Sequence, residues 1–143
     1  MRNEFFKVFQ FSVQTERNFR KGRPGSSEAI VKVEVNIDGK KRVFHEVAEG
    51  NGPVNALDNV LRKSLIGCFP RISNVRLVDY CVHGDSDGGT KASVEVVIRS
   101  SDGRKEWVTK GISHNIIEAS LFALTKSLRK EIKHTCHISR RSV

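Results

Sequence analysis

The chain has 143 residues, 38% of them hydrophobic and 29% charged, which is the size and composition of one soluble globular domain. No stretch approaches the roughly 18 continuous apolar residues of a membrane span, and no secretory signal opens the chain, so we expect a cytoplasmic protein. The net charge of +9 is concentrated at the two ends, because residues 24–125 carry equal numbers of basic and acidic groups. A basic α+β module that binds RNA is therefore an alternative rather than the leading hypothesis, and nucleic acid is not the expected partner.

Apolar alternation predicts three strands and a helix in the first half of the chain. The extended runs are Phe5–Val13, Val31–Ile37 and Arg42–Val47. Asp38-Gly39 joins the last two and is a strong hairpin signature. The segment Thr15–Ser27 is expected to be a mobile loop because it is rich in glycine and serine. A helix is predicted over about Pro53–Ile66, with proline in its first turn and an apolar stripe on one face.

The second half of the chain repeats this order. The extended runs are Val75–His83, Val94–Ile98 and Glu106–Lys110. Asp102-Gly103 again indicates a hairpin, and Gly84–Thr90 is expected to be a mobile loop. The predicted helix, about Ile116–Lys133, matches the first without a gap where Leu124–Leu128 corresponds to Leu61–Leu65. Its first half is apolar on all sides, which indicates burial on more than one side.

The duplication predicts an α+β fold made of two βββα units, about 5–67 and about 72–133. We expect two small antiparallel sheets with the two helices packed between them, related by a pseudo-twofold axis. Residues 1–133 then form a single domain, and residues 134–143 form a basic tail. Apolar surface left over on the sheets and helices predicts a homodimer.

Motifs for a cofactor, a metal or a catalytic nucleophile are incomplete. Gly50–Asn55 resembles a dinucleotide-binding loop, but Asn55 replaces its third glycine and the strands before it form a hairpin. Gly84–Lys91 matches neither a phosphate loop nor a calcium loop. The five histidines form no H-x-H or H-E-x-x-H pattern, and the three widely spaced cysteines are expected to be reduced thiols. We therefore expect no cofactor, no metal site and no catalytic residue.

The starts of the two predicted helices remain as a candidate binding site. One follows Gly50-Asn51-Gly52 and the other follows Ser113-His114-Asn115, and the repeat symmetry is expected to bring them close together. Free backbone N–H groups and the helix dipole favour an anion at such an end, and a free amino acid offers a carboxylate. The alternative, which is the commoner use of these residue types, is that Asn51, Ser113 and Asn115 only cap their helices.

These residues also carry a family resemblance. Val47–Asn59, which reads VAEGNGPVNALDN, resembles the C-terminal allosteric and dimerisation domain of 2-isopropylmalate synthase and citramalate synthase. A second set of blocks is similar to the citramalate synthase type: Arg76–Tyr80 (RLVDY), Ser101–Gly103 (SDG), Trp107, Gly111–Ser113 (GIS) and Asn115–Ser120 (NIIEAS). The similarity covers about Phe5 to Lys133, and its blocks fall in order along the chain.

The resemblance implies a dimer of two βββα units that binds a branched-chain amino acid, isoleucine or else leucine, as feedback inhibitor of an acetyl-CoA-dependent acyltransferase. Catalysis in the family belongs to a TIM barrel, present in cis or in trans, so this chain is expected to bind and not to catalyse. Carried over by position, the effector-binding residues are Gly52, Val54, Asn55, Leu77, Tyr80, Ala92, Val94, His114 and Ile116. An apolar cavity would take the branched side chain, while helix N–H groups meet the carboxylate and Asn55 helps to meet the ammonium.

Overall fold

The computed structural model describes the backbone of residues 5–22, 24–84 and 92–141, and the side chains of these ranges as far as Thr135. The chain divides into two compact units, Met1–Pro70 and Arg71–Val143. Each unit contains a three-stranded antiparallel sheet followed by a helix, so the predicted α+β fold with a duplicated βββα order is confirmed. Most of the predicted loop Gly84–Thr90 lies outside the described residues. No helix in the described ranges is long and apolar enough to cross a membrane.

The first unit consists of β1 (Phe6–Glu16), β2 (Ser26–Ile37), β3 (Lys40–Gly50) and α1 (Pro53–Leu65). The strand order is β1-β2-β3. Alternate residues of β2 are fully buried against α1, and the core comprises Ala29, Val31, Val33, Val35, Leu57, Leu61 and Leu65. The prediction of a loop over Thr15–Ser27 is wrong at both ends, because Thr15 pairs with Ser27 and their hydroxyl oxygens lie 2.8 Å apart. Residues 17–25 alone connect the two strands.

The turn between β2 and β3 is the two-residue hairpin that Asp38-Gly39 predicts. Asp38 has φ 53° and Gly39 has φ 79°. Positive φ at both central positions matches the right-handed twist of the flanking strands, and glycine and aspartate tolerate it best. The pairing therefore continues to Ile37 and Lys40, directly beside the turn.

The second unit consists of β4 (Arg76–Gly84), β5 (Val94–Ser101), β6 (Glu106–Ser113) and α2 (Ile116–Arg141), preceded by a short 3-10 helix, Pro70–Asn74. The strand order is β4-β5-β6. The helix α2 continues eight residues beyond its predicted end at Lys133, so helical backbone extends through most of the segment 134–143. The second hairpin has a four-residue loop in which the Asp102 carboxylate accepts the backbone N–H groups of Arg104 and Lys105, both at 2.9 Å.

The hairpin of the first unit is four residues longer than the hairpin of the second. Gly50 lies three residues before α1 and pairs with Ser27, whereas Ser113 lies three residues before α2 and pairs with Val94. The structural counterpart of Val94 is therefore Ser27, four residues before the Val31 that the apolar pattern aligns with it. An even shift leaves the same face of a strand buried, so the pattern alone does not distinguish the two alignments.

Candidate effector site

The start of α1 presents backbone donors that are not capped by any described side chain. Gly52 is the residue before the helix and has an extended backbone, φ −160° and ψ 176°, with no side-chain cap. Pro53 follows at the first helical position and has no N–H group of its own. The N–H groups of Val54 and Asn55 precede the first intrahelical bond, which Ala56 donates to the Gly52 carbonyl at 2.9 Å. Such donors and the helix dipole favour an anion at this end.

Asn55 holds the turn between β3 and α1. Its side-chain oxygen accepts the backbone N–H of Asn51 at 3.0 Å and a longer contact from Nδ2 of Asn59 at 3.4 Å. Nδ2 of Asn59 also donates to the Glu49 carbonyl at 2.9 Å. The hypothesis that Asn51 caps α1 is wrong, because Asn51 contributes its backbone N–H to this turn and no side chain of the described residues caps the helix.

Gly50 is required by the same turn. A Cβ built on Gly50 would overlap the backbone nitrogen of Ala56 and lie 2.7 Å from Oδ1 of Asn55. Only a residue without a Cβ allows the end of β3 to approach the first turn of α1 this closely. The glycine that resembled a dinucleotide-binding motif therefore has a packing role.

The start of α2 is capped, in contrast to α1. Oδ1 of Asn115 accepts the N–H groups of Ile117 at 2.8 Å and Glu118 at 3.2 Å. Oγ of Ser113 accepts the N–H of Asn115 and contacts the Glu118 carboxylate, both at 3.1 Å. The capping hypothesis is confirmed for Asn115. Because its donors are occupied and Glu118 is acidic, this end is a poorer place for a carboxylate than the start of α1.

Tyr80 and Ile116 are connected through a buried serine. The half-buried Tyr80 lies on β4 opposite Ile98, and its hydroxyl is 2.8 Å from Oγ of Ser120. Oγ of Ser120 donates to the Ile116 carbonyl at 2.8 Å, so Tyr80 is the donor to Ser120. Ile116 itself is 42% exposed. The ring of Tyr80 is thus held next to the first turn of α2, where the exposed Ile116 lies.

The other predicted residues of the second unit lie at two different ends of its sheet. Val94 pairs with both Gly84 and Ser113, beside the exposed His114 and close in sequence to the half-buried Ala92. Leu77 pairs with Ser100, which is six residues along β5 from Val94, or about 20 Å. One free amino acid cannot contact Leu77 and Val94 of the same unit. Gly52, Val54 and Asn55 belong to the first unit.

Sequence reasoning missed Ser120. It lies among the apolar positions of α2 and is fully buried. A serine at a core-facing position of a helix predicts a hydrogen-bond partner, because a buried hydroxyl is rarely left unpaired. The hydroxyl group of Tyr80 is one such partner.

A separate cleft of about 470 Å³ lies at the hairpin end of the second unit. Its lining residues are Lys105, Glu106, Trp107, Lys130, Glu131, Lys133 and His134. Glu131 is only 4% exposed, and its Oε2 has no hydrogen-bond partner in the described part of the chain. Burial raises the pKa of the Glu131 carboxyl above its ordinary value, and the nearby negative charge of Asp102 adds to this effect.

Comparison with known proteins agrees with this architecture. The sequence profile of the LeuA allosteric (dimerisation) domain matches residues 1–132. The chain is 44% identical over 130 residues to an (R)-citramalate synthase of Geobacter sulfurreducens, covering 90% of this chain and 24% of the relative. It is 39% identical over 128 residues to an (R)-citramalate synthase of Synechocystis, covering 89% of this chain and 23% of the relative.

A 2-isopropylmalate synthase of Methylorubrum populi is 33% identical over 109 residues, which cover 76% of this chain and 19% of the relative. The chain therefore spans a quarter or less of the length of these three synthases. The matched region is the one in which the two βββα units lie. The chain belongs to the LeuA allosteric (dimerisation) domain family.

Proposed function

We propose that this chain is the effector-sensing part of a citramalate or 2-isopropylmalate synthase and that it binds a branched-chain amino acid. Isoleucine is the first expected effector and leucine the second, because several of the similar synthases are named (R)-citramalate synthases. Binding would inhibit acyl transfer by a catalytic TIM-barrel domain, in cis or in trans, in the cytoplasm. The chain senses the amino acid in this proposal, and the reaction takes place elsewhere.

The observation that carries the proposal is the uncapped start of α1. The N–H groups of Val54 and Asn55 and the helix dipole suit the carboxylate that all amino acids share. Asn55 contributes in the first place by holding the turn from Gly50 to Gly52 in shape. A contact between its Oδ1 and the effector ammonium would replace the longer 3.4 Å contact with Asn59.

In the second unit, Tyr80, Val94 and Ile116 are proposed as apolar effector contacts. Tyr80 is held in place by its hydrogen bond to Ser120, which leaves its ring as a fixed wall rather than a mobile side chain. Of the residues assigned to the pocket, Leu77 has the weakest support, because it lies about 20 Å along the sheet from Val94. Leu77 would contribute only from a second copy of the chain or at the edge of the site.

Assembly as a homodimer is part of the proposal. The family is described as a dimerisation domain, and each sheet exposes apolar side chains on the face opposite its own helix. These side chains are Val43 and Val47 in the first unit and Val108 and Ile112 in the second. Multi-angle light scattering at tens of micromolar tests this, since a monomer mass with and without effector would contradict it.

Titration calorimetry at moderate salt separates this function from the RNA-binding alternative, which rests on the net charge of +9. The proposal predicts heat on adding isoleucine or leucine, and only weak, salt-sensitive RNA binding that falls when residues 134–143 are removed. Tight RNA binding that survives this truncation, without heat from any amino acid, would favour the alternative.

A further inference from the structure

The outer edge of β3 is covered by side chains from α1. Nζ of Lys63 donates to the Val47 carbonyl at 2.9 Å, and Nδ2 of Asn59 donates to the Glu49 carbonyl at 2.9 Å. In the described residues β3 pairs only with β2, so its other side is a free edge of the sheet. Carbonyl groups two residues apart in a strand point to the same side, and here two consecutive ones meet donors from the helix.

The same arrangement occurs in the second unit, on β6. Nζ of Lys126 donates to the Lys110 carbonyl at 2.8 Å, and Nζ of Lys130 donates to the Val108 carbonyl at 3.4 Å. Lys126 corresponds to Lys63 in the gap-free alignment of the two helices, and Lys110 corresponds to Val47. The shared contact is therefore reproduced at equivalent positions by two units that differ in hairpin length.

The geometry of the two elements explains the spacing. Donors four residues apart on a helix are separated by about 6 Å along its axis, and carbonyl groups two residues apart on a strand by about 6.8 Å. Residues 59 and 63 donate to the carbonyl groups of residues 49 and 47, and residues 126 and 130 donate to those of residues 110 and 108. In both units a later donor on the helix meets an earlier acceptor on the strand. Each helix therefore runs antiparallel to the edge strand beside it. Successive helical turns can thus supply one donor each to successive outward carbonyl groups of the strand.

Free strand edges are the usual sites at which sheets of separate molecules join, and lysine on an edge is a common protection against this. We propose that Lys63 and Lys126 close the outer edges of β3 and β6, so that a second copy of the chain cannot add a strand beside either of these two strands. Self-association is then confined to other surfaces and does not grow into open-ended sheets. This inference does not depend on the identity of the effector.

The test replaces both lysines with methionine, Lys63→Met and Lys126→Met together, because methionine keeps the apolar stem and removes the donor. Light scattering over a concentration series should then show species of larger mass than the parent protein. The pair Lys63→Arg and Lys126→Arg retains donors and should keep the parent mass. The pair Lys40→Met and Lys133→Met removes the same charge from exposed positions whose side chains contact no carbonyl group in the described residues, and it should also keep the parent mass.

The proposal is overturned if the Lys63 and Lys126 methionine pair keeps the parent mass at every concentration, or if the Lys40 and Lys133 pair associates equally. Hydrogen exchange on the single variant Lys126→Met provides a second readout should the double variant not fold. Faster exchange confined to β6 at low concentration, with added protection at high concentration, supports an opened edge. Unchanged exchange in β6 contradicts it.

Discussion

The hydroxyl group of Tyr80 lies 2.8 Å from Oγ of Ser120 and links the edge strand β4 to the first turn of α2. Because Ser120 donates to the Ile116 carbonyl, the three residues form a short chain of hydrogen bonds with a defined direction. The position of the Tyr80 ring therefore depends on α2. A change at either residue is expected to affect both the stability of the second unit and the wall of the proposed effector site.

Replacing Tyr80 with leucine should change the ranking of isoleucine, leucine and valine without abolishing binding, because the carboxylate contacts lie elsewhere. One methylene group in an apolar pocket alters binding by about 1–3 kcal/mol, so the parent ranking itself is modest. Tyr80→Phe is the control that keeps the ring. It should preserve the ranking and lower the free energy of unfolding by about 1 kcal/mol through loss of the hydrogen bond. An unchanged ranking in Tyr80→Leu would argue against this residue as the wall.

Replacing Asn55 with leucine should weaken all three amino acids alike. The change removes the acceptor of the Asn51 N–H group and loosens the turn that precedes α1. Asn51→Ala is the matched control, because it keeps the backbone N–H that makes this bond and should retain the parent affinity. Calorimetry with the three ligands measures both variants. A changed preference among ligands in Asn55→Leu would mean that the ligand orientation is reversed.

Replacing Gly111 with alanine should strongly destabilise the second unit. A Cβ at this position would overlap the Ala119 carbonyl oxygen and lie 2.8 Å from the backbone nitrogen of Ala123, so α2 would have to move away from β6. Overpacking of this kind costs about 1–3 kcal/mol or more. Gly67→Ala is the control, since its Cβ meets nothing within 4 Å. Equal thermal stability of the two variants would contradict the close packing.

The buried carboxyl of Glu131 should make stability depend on pH. Burial raises its pKa in the folded protein above the ordinary 4.5, so the folded state retains a proton that the unfolded state loses. Stability then falls as pH rises from about 4.5 through the folded-state pKa. At neutral pH, Glu131→Gln should be more stable than the parent. At pH 4 the difference in stability between the two proteins should be smaller. Thermal unfolding of both proteins across this range measures the effect, and parallel curves would refute it.

The duplicated fold could be predicted from the sequence because each βββα unit repeats the same apolar alternation and helix stripe. The exact pairing could not, since a period-two pattern is unchanged by the four-residue shift that places Val94 opposite Ser113. The predicted end of α2, at about Lys133, is also too early. The polar residues after Lys133 include no stop signal such as glycine or proline, so the helix continues. At the proposed site, Asn115 was recognisable as a cap, whereas the role of Asn55 depends on a backbone turn that the sequence does not specify.

Effector binding is tested most directly by calorimetric titration of the purified chain with isoleucine, with leucine and valine as comparisons. We expect saturable heat with isoleucine, weaker binding of at least one of the other two, and loss of affinity for all three in Asn55→Leu. No saturable heat with any branched-chain amino acid, from a chain whose fold and dimer mass are intact, would contradict it.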